Sequence, residues 1–140
     1  MKRRDLMDWL NSNSMLLAQR VADVSWAKQR VALDNVANVD TPGYKAKYVL
    51  FEDELRRNLS RLESRFGGRE RVRSSDVRDA IMETRMNIRT SRGESIRADG
   101  NNVNLDVEQL EIVRNTYQYQ FALRQISDQF TRLRTAIEGR

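Results

Sequence analysis

The stretch Asp34-Asn35-Val36-Ala37-Asn38-Val39-Asp40-Thr41-Pro42-Gly43-Tyr44 is where the chain changes direction, and the reading of the fold works outward from it. An amphipathic pattern runs into it and stops at Asn38, a residue type that tolerates the left-handed conformation closing many helices. Pro42 is the only proline in the chain, and Gly43 follows it at once. Proline sets φ to about −65° at the second position of a turn, glycine accepts the positive φ that a type II turn requires next, and Thr41 is pushed into an extended conformation by the ring behind it. The spacing predicts a helix ending at Asn38, a sharp turn over Thr41-Pro42-Gly43-Tyr44, and a new direction beyond.

Towards the N-terminus, Met7, Leu10, Ser14, Leu17, Val21, Val24, Lys28, Val31, Asn35 and Asn38 recur in steps of three and four, the seam of a coiled-coil helix. Asn11-Ser12-Asn13-Ser14 reads as its cap, so the firm helix is expected from about Ser14 to Asn38. Ala18, Ala22, Trp26, Gln29 and Leu33 mark a second face. The seam turns polar at Lys28, Asn35 and Asn38. Such residues either fix register and partner number or simply end a solvated helix.

The last third carries the other long pattern. Asp106 can cap, with Gln109 completing a capping box, and no proline or glycine interrupts before Gly139. About 32 residues of helix would span ~48 Å. The seam there is Ile112, Thr116, Tyr119, Leu123, Ile126, Phe130, Leu133 and Ile137, and Leu110, Val113, Tyr117 and Phe121 form a second, offset stripe. Two stripes imply more than one packing partner.

Between the long helices the signals are shorter. Lys45 to Phe51 is rich in β-formers, and Glu52-Asp53-Glu54 heads a helical pattern from Leu55 to Leu62 that fades at Gly67-Gly68. Val77, Ala80, Ile81, Thr84 and Ile88 can form a short helical face behind a Ser74-Ser75-Asp76 cap, with Arg92-Gly93-Glu94 as a break. The expected fold is mainly α: two long terminal helices packing as a coiled coil, a short extended segment, and a flexible central insert. Residues 1–44 hold the first helix and the turn, 45–104 a variable basic insert, and 105–140 the last helix, with 1–44 and 105–140 forming one helical core.

Composition narrows the chemistry. The 140 residues contain no cysteine and no histidine, which removes disulfides, thiolate and Ser-His nucleophiles, His-ligated zinc and a histidine pH switch. Asp99-Gly100-Asn101-Asn102 offers oxygen ligands but lacks the spacing and terminal glutamate of a calcium loop, so it reads as a turn. No run approaches ~20 apolar residues, so no membrane span is expected, and no apolar leader follows the basic Met1-Lys2-Arg3-Arg4. The net charge of +5 sits in the middle, where residues 56–97 hold twelve arginines against six acids. That segment supports an alternative, a small basic helical nucleic-acid-binding protein. Interspersed acids and a single aromatic residue, Phe66, weigh against it.

Asn35 to Tyr44 together resemble the N-terminal signature of the bacterial flagellar axial proteins, the rod, hook and hook-associated subunits. Within that family, the run Asp99-Gly100-Asn101-Asn102-Val103-Asn104-Leu105-Asp106 is similar to the proximal rod type, departing from it at Asn104, where an acidic residue is expected. The resemblance implies a structural subunit of the basal-body rod, not an enzyme and without a cofactor, whose terminal helices line the inner wall of a tubular assembly. It implies as partners other copies of the chain, other flagellar rod proteins, the ring-to-rod adapter and export-gate proteins, with no nucleic acid and no membrane insertion. It also implies a place in the periplasmic rod, reached by type III export without a cleaved leader. In that setting Leu17, Val21, Val24, Val31, Asn35, Asn38, Tyr119, Leu123, Ile126, Phe130, Leu133 and Ile137 are the expected packing and assembly residues. Asn38, Asp40, Thr41, Pro42, Gly43 and Tyr44 form the signature turn.

Overall fold

The structure, a computed structural model, describes residues 12–66, 72–93 and 97–139. Met7 and Leu10 of the expected seam and the Gly67-Gly68 break lie outside them. The first helix, α1, covers Asn13–Ala37. Ser12 caps it, its hydroxyl accepting from the Met15 amide at 3.3 Å. At the other end Asn38 has φ −105° and ψ 14°, not the left-handed conformation expected of it. The helix instead loosens into i→i+3 bonds, Val39 N–H to the Val36 carbonyl and Thr41 N–H to the Asn38 carbonyl. The Asn38 side-chain amide meanwhile donates to the Asp34 carbonyl at 2.8 Å. A side chain that satisfies an orphan helical carbonyl removes the need for a left-handed residue.

The last helix, α4, covers Leu105–Glu138, 34 residues and about 51 Å at 1.5 Å per residue. Its cap is Asn104, two residues before the expected Asp106, with the side-chain oxygen accepting from the Asp106 and Val107 amides at 3.1 and 3.3 Å. An aspartate at this position would present the same oxygen, so the departure at Asn104 leaves the cap intact. Gly139 closes the helix at φ +68°, its N–H donating to the Thr135 carbonyl.

The two long helices pack side by side and antiparallel. Ser12 and Ser14 reach Gln129, Gln29 reaches Thr116, and Asn35 reaches Glu108, so residue numbers rise on one helix as they fall on the other. This corrects the expected seam. The α1 residues buried along the interface are Met15, Ala18, Ala22, Ser25 and Ala32, and those of α4 are Asn115, Ala122 and Leu133. The register brings Ala22 and Ala122 to the same level, where small side chains allow close helix approach. The expected α1 stripe runs along the flank of this interface, between α4 and the central segment. Val24 is buried beside Phe51, and Val31 lies against the segment from Lys47 to Val49.

The central elements clasp this pair. Strand β1 (Lys47–Leu50) and strand β2 (Asn87–Thr90) form a two-stranded antiparallel sheet, with β1 lying on α1. Helix α2 (Glu52–Phe66) opens on its three acids, as expected, and buries no residue. Helix α3 (Ser74–Glu83) puts Ala80 and Ile81 inside, while Ile88, expected on the same helical face, belongs to β2 and is exposed. Asn13 of α1 donates to Ser74 at the head of α3, and Arg20 donates to the Met82 and Thr84 carbonyls at its tail. These bonds set α3 parallel to the first half of α1, with a cation at the negative end of its dipole.

Candidate functional site: the signature corner and the outer face of the long helix

Among the described residues no helix is long and apolar enough to cross a membrane. The chemistry-bearing residues gather in two places. At the signature corner, Tyr44 N–H donates to the Thr41 carbonyl at 3.3 Å and Gly43 has φ +71°, the geometry expected for Pro42 and Gly43 in a type II turn.

The second sequence run is folded directly onto this turn. Asn101 is fully buried, and its side-chain amide donates to the carbonyls of Asn38, Val39 and Thr41 at 3.0, 3.0 and 2.9 Å. Its side-chain oxygen accepts from the Val103 amide at 2.7 Å. Gly43 N–H donates to the Asp99 carbonyl, and Asn102 bridges the chain on either side of Lys45 through its own N–H to Tyr44 and its side-chain oxygen to the Ala46 amide. Arg97 adds a hydrogen bond to the Val39 carbonyl and ion pairs with Asp40 and Asp99. Gly100, at φ +82°, stands against Gly43 closely enough that an added Cβ would come within 3.5 Å of it.

Asn35 serves the corner from the helix side. Its side-chain oxygen accepts from the Lys47 amide at 2.9 Å and from the Tyr44 hydroxyl at 3.3 Å, and its NH2 donates to the Lys47 carbonyl at 2.8 Å. Glu108, in the first turn of α4, lies close enough to the Asn35 amide to feel it. Three hydrogen bonds from one buried side chain thus join α1, the turn and β1.

Charge follows the same geometry. The Lys47 ammonium, at 2.9 Å, and then the Tyr44 hydroxyl hold the Asp34 carboxyl below the usual carboxylate range. Burial, followed by the bond to Asp34, pushes the Tyr44 hydroxyl up. Burial raises Glu108, the nearby Asn35 side chain opposes that rise, and repulsion from Glu111 adds to it. No cluster of three or more Asp or Glu residues able to hold a metal ion occurs among the described residues.

The second place is the outer face of α4. Leu110, Val113, Tyr117 and Phe121 are between 52 and 69 % exposed. Of the expected packing residues, Leu133 is buried, Tyr119 and Ile126 are half-buried, and Leu123, Phe130 and Ile137 are exposed. On α1, Val24 and Asn35 are buried, Val21, Val31 and Asn38 half-buried, and Leu17 exposed. Pro42, Asp40, Thr41 and Gly43 lie on the surface of the turn, with Tyr44 half-buried behind them.

Sequence reasoning missed the burial of Asn101 and Asn115, and it placed Ala18 and Ala22 on a second face with Trp26 and Leu33, which are exposed, rather than with Met15, Ser25 and Ala32. That seam was legible as a second three-and-four spacing. Nothing in the Asp99 to Asn102 run distinguishes an inward asparagine from an ordinary turn residue.

No protein-family model matches the chain. Among curated proteins it is 36 % identical over 112 residues to the flagellar basal body rod protein FlgB of Bacillus subtilis, covering 80 % of this chain and 83 % of that protein. It is 34 % identical over 117 residues to the FlgB of Borrelia hermsii, covering 76 % and 82 %, and 24 % identical over 137 residues to that of Salmonella typhimurium, covering 96 % and 99 %. Taken with the joined signature runs and the paired terminal helices, these similarities establish that the chain belongs to the FlgB family of flagellar basal body rod proteins.

Proposed function

We propose that the protein is a structural, non-catalytic subunit of the proximal part of the basal-body rod, reaching it by type III export. In this reading α1 and α4 form one core that builds the wall of the rod. The signature corner fixes the angle at which the segment between them leaves that core. The observation that carries it is the outer face of α4, where Leu110, Val113, Tyr117 and Phe121 remain open after the chain has folded. A contiguous apolar stripe of that length marks a protein contact. Head-to-tail burial of such stripes on further copies, without closure, produces a tube. Leu123, Phe130 and Ile137 extend the surface offered to other copies, to other rod proteins, and at the rod base to the ring-to-rod adapter and the export gate.

The nucleic-acid alternative loses ground. Arg61 and Arg65 of α2 line one groove with Asp76, Asp79 and Glu83 of α3, so part of the basic excess faces acids of the same chain.

The reading is tested with Tyr117→Asp combined with Phe121→Asp. Both side chains are more than 60 % exposed, so the isolated subunit is expected to keep its helix content and its unfolding transition. Motility and the recovery of the subunit in purified basal bodies are expected to be lost. Normal motility with a normally folded double variant overturns the proposal.

A further inference from the structure

The two-stranded sheet has one occupied edge and one open edge. Lys47 pairs with Thr90, Tyr48 with Arg89, Val49 with Ile88 and Leu50 with Asn87, and the Ser91 amide donates to the Ala46 carbonyl at 2.7 Å. Hydrogen-bonded and non-hydrogen-bonded pairs alternate along an antiparallel ladder. With Ala46 and Ser91 a bonded pair, Tyr48 and Arg89 are bonded as well. The backbone groups of Lys47 and Val49, and those of Ile88 and Thr90, therefore point away from the partner strand. On β1 the outward groups of Lys47 are taken by the Asn35 side chain, which donates to the carbonyl and accepts from the amide as a neighbouring strand would. On β2 no described residue forms a third strand, and all four residues are exposed.

Charge decides what this edge can accept. Arg85, Arg89 and Arg92 stand in or beside β2, and none of them makes an ion pair among the described residues. A second copy pairing antiparallel about Arg89 would set that residue opposite its own counterpart, and like charges directly opposite destabilise a strand pair. A strand bearing carboxylates meets the same arginines with opposite sign. Arg89 and Arg92 also line a groove across the face of the sheet with Tyr48 and Leu50 of β1, which leaves both arginines open to solvent near the edge.

We propose that the outer edge of β2 takes up an extended, acidic segment of another protein as a third strand. Main-chain bonds to Ile88 and Thr90 hold it, and alternate carboxylates face Arg89 and its neighbours. The Asn35 side chain leaves β2 as the edge available for addition.

The test is residue-resolved amide exchange on the full chain with the peptide acetyl-Glu-Val-Glu-Val-Glu-Val-amide. Slowed exchange at Ile88 and Thr90 is expected. The effect should vanish when alternate peptide nitrogens are methylated, and a lysine-for-glutamate peptide should give none. Arg89→Glu, at an exposed position, should weaken binding several-fold, and Ile88→Pro, which removes an outward N–H and leaves the ladder to β1 intact, should abolish it. No slowing at Ile88 and Thr90 overturns the proposal. So does equal binding by the methylated peptide, which would mean adsorption by charge alone. Protection that grows with protein concentration in the absence of peptide would replace the acidic partner with a second copy. The α4 face plays no part in this site, so its failure leaves the rod-subunit reading standing.

Discussion

At the residue scale, two buried asparagines hold the signature corner together. Asn101 holds three carbonyls of the turn, and Asn35 ties α1 to the Tyr44 hydroxyl and to both backbone groups of Lys47. A buried carbonyl left without its donor costs about 1–3 kcal/mol, so Asn101→Ala is expected to lower the unfolding free energy by that amount. Asn101→Asp should cost at least as much, because it replaces the donor with a negative oxygen facing three carbonyls. Urea unfolding of both variants checks the order, and an unchanged Asn101→Asp protein would contradict the clamp. Two carboxylates give opposite pH signatures. Asp34 has its folded pKa lowered, so its contribution is present above the unfolded value and is lost as pH falls through the folded one. Glu108 has its folded pKa raised, so it favours folding at low pH and loses that contribution as pH rises from the ordinary carboxylate range through the raised value. Denaturation midpoints across pH should show Asp34→Asn flattening the acid limb and Glu108→Gln raising stability at neutral pH.

At the element scale, the interface between α1 and α4 is made of small and polar side chains, with the larger aliphatics on its flanks. Overpacking such a seam costs about 1–3 kcal/mol, and Ala22→Leu or Ala122→Leu should show it in the isolated subunit. Leu123→Ala removes a half-exposed side chain and should cost less than about 1 kcal/mol. The reverse ranking would restore Leu123 to the intramolecular seam. At the turn, Gly43→Ala forces an L side chain to φ +71°, at a cost of about 1 kcal/mol, although a Cβ there would touch nothing within 4 Å. The loss should come from the backbone alone and leave the helices unchanged by circular dichroism.

At the scale of the whole molecule, stability is unevenly spread. The antiparallel pair and the asparagine corner hold most of the buried residues, whereas α2 buries none. Hydrogen exchange in the isolated protein should therefore be slowest over the facing parts of α1 and α4, about residues 15–35 and 108–133, and fastest over α2. Uniform protection would mean that α2 is held by contacts beyond those of the helix pair. The exposed stripe on α4 is the counterpart of this distribution. The 34-residue helix has one covered side and one open side, and the proposed rod contacts would cover the open one.

Local spacing was enough to read both long helices, the stop near Asn38, the Pro42-Gly43 turn, the helix headed by Glu52-Asp53-Glu54, the second stripe on α4, and the family through two short runs of residues. Each of these depends on periodicity or on backbone preference within a few positions. Tertiary structure alone decided which of two neighbouring stripes on α1 meets α4, because close approach favours the alanines over the larger aliphatics and the register is set by a partner some ninety residues away. It also decided that Asn104 caps α4, that Ile88 leaves the helical face for a strand, and that Asn38 stays out of the left-handed region. At the corner, the sequence places Asn35 and Asn101 in two separate signature runs. Only the fold brings those runs together, because a buried asparagine is stable where distant backbone groups converge to satisfy it.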